Sequence, residues 1–133
     1  MPRISESPIL SIVPSIFGTA AIGYGVNAIL RPEHALTLFE LEMPPASSPA
    51  RKVVDCLMLA YGIRDIFMGV AVYAASYHGN RKALGAIMIA LSCVAYADGL
   101  VCWANNGKGQ WNHWPLAPLG TIVGGLLMGA MDK

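Results

Sequence analysis

The stretch Tyr61-Gly62-Ile63-Arg64-Asp65-Ile66-Phe67-Met68-Gly69 sets a base and an acid side by side in the middle of an apolar run. The run extends from about Val53 to Tyr77, and Asp55 is the other charge in it. A continuous apolar segment of that length predicts an α-helix of roughly 37 Å at 1.5 Å per residue. That is long enough to cross the ~30 Å hydrocarbon layer of a bilayer. A formal charge at the centre of such a span costs at least ~2.5–3.5 kcal/mol. Arg64 and Asp65 are therefore expected to face other helices and to meet partners there.

Three further apolar segments supply those helices. They run over about 9–30, 83–104 and 114–131; the first and last carry no charge, and the third carries Asp98 alone. Barrel strands would be short and alternating, whereas these runs are continuous. Helices also satisfy their own backbone polar groups, which lipid demands. The expected fold is all-α. It is a four transmembrane-helix bundle forming a single integral membrane domain over residues 1–133, with helices about 9–30, 53–77, 83–104 and 114–131 and a longer first interhelical loop.

Composition agrees. Of 133 residues, 55% are hydrophobic and 13% charged, with a net charge of +1, and the mean hydropathy is +0.51. Soluble domains average roughly 25% charged residues. A small domain has a high surface-to-volume ratio, so this chain lacks the polar surface for a soluble monomer. Nucleic-acid binding would require a basic stripe, and disorder would require low hydrophobicity. The first run is followed by Arg31 and Pro32 rather than by a small-residue cleavage site, so it reads as a retained span. Cys56, Cys93 and Cys102 show no CxxC spacing, which argues against a disulfide framework or a zinc site; each reads as a small buried hydrophobe. Basic residues divide four against four between the two sides (Arg3, Arg81, Lys82, Lys133; Arg31, Arg51, Lys52, Lys108), and the positive-inside rule gives no orientation.

The connections differ in character. Residues 31–52 hold Pro32, Pro44, Pro45 and Pro49, and within them His34 to Leu41 reads as a short interfacial helix. His78 to Lys82 is a tight turn with Gly79 and Asn80 at its centre. Asn105 to His113 is a loop with Trp103, Trp111 and Trp114 nearby, as at a membrane–water boundary. Small residues recur at helix-packing spacings: Ala21 with Gly25, Gly62 with Gly69, Gly120 with Gly124, Gly125 with Gly129. They pack the helices of one chain or, as a sharper reading, make glycine-rich faces for a homo-oligomer.

Polar groups collect toward the long loop. Arg64 is expected to pair with Asp98 on the third helix or with Asp65 itself. Tyr61 lies four residues before Asp65, on its face. Tyr24, Asn27, Cys102, Trp111 and His113 fall on the same half. Together they outline a one-sided pocket. The plainer alternatives are an ion pair that fixes helix register, an interfacial loop histidine and ordinary packing tyrosines.

The same residues carry a resemblance. The G-x-R-D-x-x-x-G run (Gly62, Arg64, Asp65, Gly69), the Asn80–Gly85 turn, Ala97-Asp98-Gly99 and the Trp111–Trp114 loop resemble the small membrane family labelled domain of unknown function 4267, over about residues 10–130. The resemblance implies four transmembrane helices, with Arg64, Asp65, Asp98 and His113 at the family's recurrent polar positions. Some members accompany genes for lipophilic secondary metabolites, which implies a tailoring role.

Three functions remain open. The first is a membrane-embedded enzyme acting without a cofactor or metal, since no dinucleotide loop, haem motif or metal cluster is seen. It would carry out acid–base isomerisation, cyclisation or epoxide opening on a lipophilic small molecule. Asp98 or Asp65 would be the acid or base, Arg64 the orienter or oxyanion partner, and Tyr61 and His113 auxiliary donors. Asn27, Tyr24, Trp111 and Cys102 would bind the substrate. The expected location is an integral membrane site, the endoplasmic reticulum or another endomembrane in a eukaryotic cell. The second is a non-catalytic membrane scaffold or partner-binding subunit, whose glycine faces bind a partner helix. The third is a small transporter or proton path.

Overall fold

The computed structural model describes residues 3–132, so Lys133 lies outside the described residues. Among them the chain forms five α-helices and no strand: α1 (Ile9–Leu30), α2 (Pro32–Thr37), α3 (Pro49–Tyr77), α4 (Arg81–Asn106) and α5 (Ala117–Leu127), with short 3-10 turns at Ile4–Glu6 and Gln110–Asn112. The helix α1 packs along α3, and α4 along α5. The two pairs join through α3 with α4 and α1 with α5.

Small residues set both pairings. The buried residues of α1 are Leu10, Pro14, Gly18, Ala21, Gly25 and Ala28, and those of α3 are Met58, Gly62, Asp65, Gly69 and Val72. Their three–four alternation draws one stripe along each helix. Gly25 meets Gly62 and Gly18 meets Gly69, so the helices run antiparallel with backbones in contact. A Cβ on Gly62 would stand 2.6 Å from the Gly25 carbonyl oxygen, and one on Gly25 would stand 2.5 Å from that of Gly62. Between α4 and α5, Gly85 meets Gly124, Ser92 meets Gly120, and Gly99 receives the Trp114 indole. Close approach of two backbones multiplies weak dispersion contacts, and glycine alone permits it.

Large side chains point outward instead. Ile12, Ile16, Leu57, Ile63, Phe67 and Ile122 are all exposed, and Phe67 is 70% accessible. Inside, Leu10, Val72, Leu84, Met88, Val123 and Leu127 form one apolar cluster. Ala28, Ala35, Leu36 and Met58 form another around α2.

Several boundaries differ from expectation. The third helix begins at Pro49, earlier than the apolar run. Ser48 accepts the Ala50 N–H at 3.2 Å, and proline suits the first helical turn. Arg51 steadies that turn by pairing with Glu33 and Asp55, each at 3.2 Å. The short helix covers Pro32–Thr37 rather than His34–Leu41. It is closed by Glu40 in the left-handed region (φ 55°), with Leu41 N–H reaching back to the Leu36 carbonyl. The last helix is shorter than the expected 114–131. At 11 residues it is roughly 16 Å long, because it starts after Pro115 and ends in a turn at Gly129 with φ 88°. By length and composition, α1 and α4 suffice to cross a membrane; α3 is longer but carries more charge.

Two further expectations are corrected. Cys102 is buried, but Cys56 and Cys93 are exposed on outward helix faces. Gly125 has no neighbour within 4 Å of a Cβ position, and Gly129 belongs to the closing turn, so that pair forms no seam within the chain. Gly62→Ala is expected to lower detergent-phase thermal stability by about 1–3 kcal/mol through overpacking. Gly125→Ala, in open space, is expected to be neutral or stabilising by a few tenths. Parallel melting curves check both.

At the end opposite α2, Asp132 accepts from the Ser5 N–H at 3.1 Å and the Ser5 hydroxyl at 2.6 Å. The hydroxyl and amide hold this carboxyl below the usual carboxylate range. A lowered value means the bond stabilises the fold above the ordinary range and is lost as pH falls through the lowered one. The Ser5 amide resonance should titrate with a midpoint below about 3.9, and Asp132→Asn should abolish the transition.

Candidate functional site

Asp65 occupies a seam position between Gly62 and Gly69, so α1 covers its side chain, which is 7% exposed. Arg64 precedes it by ~100° around the helix and turns toward α4. The guanidinium then meets both carboxylates. Its Nη1 donates to Asp98 Oδ1 at 3.1 Å and its Nη2 to Asp98 Oδ2 at 2.8 Å. Its Nε and Nη2 donate to Asp65 Oδ1 at 3.1 and 3.0 Å. Forked pairing of this kind is stronger and more directional than a lysine contact. It fastens α3 to α4.

Aromatic rings stack outward from this group. The guanidinium carbon lies 4.4 Å from the Tyr61 ring centroid. Phe39 meets Tyr61 edge-on at 5.3 Å and the His113 ring at 4.8 Å. His113 Nε2 lies 3.2 Å from the Leu38 carbonyl oxygen. A carbonyl only accepts, so Nε2 carries the proton and a neutral ring keeps Nδ1 as an acceptor. Asn112 donates to the same carbonyl at 3.0 Å, Asn106 donates to Phe39 O at 3.1 Å, and Lys108 pairs with Glu40 at 3.2 Å. The 106–113 segment is thereby laced to the turn after α2.

Between these layers lies a cavity of about 250 Å³. Phe17, Met68, Leu91 and Leu116 give it carbon walls, and Tyr61, Arg64, Asp65, Asp98 and His113 give it polar groups. The two carboxylates and one guanidinium sum to a formal charge of −1 (+1 − 2).

Of the residues expected to bind substrate, Tyr24 lines the cavity. Three do not. Trp111 is 68% exposed and packs edge-on against Trp114. Cys102 is buried behind Gly109. Asn27 sits near the end of α1, where its carbonyl accepts from Arg31 N–H. Pairing with Arg64 does not leave one aspartate wholly free, because the fork has two edges and holds both; Asp65 Oδ2 alone receives no bond from it.

Sequence reasoning missed Phe17, Met68, Ser92 and Leu116. Two of them carried a periodic signal: Phe17 is one heptad before Tyr24, and Ser92 falls midway in the heptad series Gly85-Ser92-Gly99.

The fold and site define an all-helical chain closed on an ion-bridged apolar cavity. The profile described as domain of unknown function 4267 matches residues 18–127, and the chain belongs to that family. The matched span contains every polar group of the cavity. No curated protein and no solved structure matches the chain.

Arg64→Met strands two carboxylates together, whereas Asp98→Asn leaves the Asp65 contact. Breaking a buried pair costs about 3–5 kcal/mol, less here because Arg64 is 37% exposed. The expected order of melting temperatures is parent, then Asp98→Asn, then Arg64→Met.

Proposed function

We propose that this chain is an integral membrane protein in which α1, α3, α4 and the α5 segment are the membrane-embedded helices, and that its cavity is the active site of a cofactor-independent acid–base enzyme. Its substrate is a small lipophilic molecule, and its chemistry is isomerisation, cyclisation or epoxide opening. In a eukaryotic cell the reading places it in the endoplasmic reticulum or another endomembrane. The outward-facing large hydrophobic side chains support the membrane setting, since lipid is the solvent that suits them.

The observation that carries the enzymatic reading is the Oδ2 of Asp65, which takes no bond from Arg64 and stands at an apolar cavity beside Tyr61. An ionised carboxylate accepts and does not donate. Asp65 is thus the general base, with Arg64 holding its other oxygen in place. Arg64 has one Nη1 hydrogen beyond those given to the carboxylates, which suits it to stabilise a developing oxyanion. Asp98 orients Arg64. Tyr61 and His113 are auxiliary proton carriers at the rim.

A second reading has its own observation. The fork of Arg64 joins α3 to α4, and a scaffold needs no more than that. One experiment separates them. Membranes holding the full chain are incubated with a lipid extract of the source cell, and products are resolved by chromatography and mass spectrometry. The enzyme reading expects one species to change retention without change of mass, or with the mass of water added for epoxide hydrolysis. Asp65→Asn should slow that change at least tenfold in protein that remains folded, with a melting temperature lowered like that of Asp98→Asn. Absence of any conversion, or loss only in variants that unfold, supports the scaffold.

A further inference from the structure

We propose that the cavity selects a lipophilic amine in its protonated form; this rests on the reading of the cavity as a small-molecule site. Three observations carry it. First, the charge in the cavity is unbalanced. Asp65 and Asp98 face one guanidinium, and among the described lining residues Arg64 is the sole arginine or lysine. Two of the basic residues at this end are engaged elsewhere, Arg51 with Glu33 and Asp55 and Lys108 with Glu40, and neither Arg31 nor Lys52 lines the cavity. An uncompensated negative charge between carbon walls is costly, because the attraction that would offset it is strong only for a cation brought inside.

Second, the excess has an address. Arg64 places both of its contacts with Asp65 on Oδ1, so it leaves the second oxygen of a carboxylate that is 7% exposed, and that the Tyr61 hydroxyl also approaches, to receive an N–H. Third, the remaining surface fits the rest of such a molecule. Phe17, Leu91 and Leu116 supply apolar contact, and Tyr24 supplies a free aromatic face, the face of Tyr61 being covered by Arg64. A volume of about 250 Å³ holds a compact ligand, roughly eight water-sized volumes at ~30 Å³ each. The other titratable groups facing the space are His113, Tyr24 and Tyr61.

The oxygen that recognises the ammonium also receives its proton. The N–H bond breaks, an O–H bond forms on Asp65, and the amine keeps the electron pair. Recognition and base catalysis then use one group.

Three probes of one shape test the proposal: 2-phenylethylamine, 2-phenylethanol and phenylacetate, titrated calorimetrically at pH 7 into the full chain in micelles, with protein-free micelles subtracted. The amine is expected to bind at least tenfold more tightly than the alcohol, and the acid most weakly. Asp65→Asn should remove the preference for the amine over the alcohol, and Leu116→Trp should remove all binding by filling the cavity. Asp98→Asn gives the same reading if Asp65→Asn does not fold. Equal binding of amine and alcohol overturns the amine class and leaves the cavity reading standing, since a proton held in the cluster then balances the charge. Tightest binding of the acid likewise overturns it. Binding of none of the three to the parent overturns both readings.

Discussion

The guanidinium of Arg64 between two carboxylates is the constraint to which the rest of the structure conforms. A positive charge at the centre of an apolar helix demands a partner, and one aspartate on its own helix satisfies only one edge of the fork. The other edge needs Asp98, and that fixes α4 against α3 in one register. Once that crossing is set, α1 must cover Asp65, and it can do so only where Gly18 and Gly25 let its backbone touch Gly69 and Gly62. An exposed ion pair contributes ~0–1 kcal/mol; this one matters because neither carboxylate has water enough to dispense with its partner.

The interior follows from the same requirement. Where the helices come closest, glycine, alanine and serine fill the seams; Leu10, Val72, Leu84, Met88, Val123 and Leu127 pack inside at one end, and other large residues face outward. At the level of Arg64 the charged side chains of α3 and α4 meet, and Phe17, Met68 and Leu116 line the space beside them. The cavity adjoins the ion cluster, and the cluster supplies its polar lining. The site combines carbon walls, a carboxylate oxygen that Arg64 does not hold and a fixed positive neighbour.

Much of this was legible in the residues. The unbroken apolar runs announced helices, and mid-run charges announced an inward cluster in which Arg64 meets Asp98 or Asp65; the fork meets both. Other features were hidden by physical causes. The start of α3 lay in a charged stretch that hydropathy ignores, although Ser48-Pro49 is a helix-start signal. The shortness of α5 came from Pro115 and from a glycine turn at its far end. Cys102 and Trp111 were misplaced for different reasons. Cys102 follows Asp98 at four residues but is screened by Gly109, and Trp111 sits on a turn whose direction no periodicity reports. Membership of Phe17 and Leu116 in the cavity depends on how α1 and α5 cross, which a single helix pattern does not contain.

The bond between Ser5 and Asp132 has a topological corollary. The chain leaves the bundle at both ends from one face, adjacent to each other and to Arg81, whose guanidinium donates to the Ser5 carbonyl oxygen at 2.5 Å. In a bilayer, reporters fused before Ser5 and after Asp132 would share a compartment, and a single fusion would settle the insertion sense that the evenly divided basic residues leave undetermined.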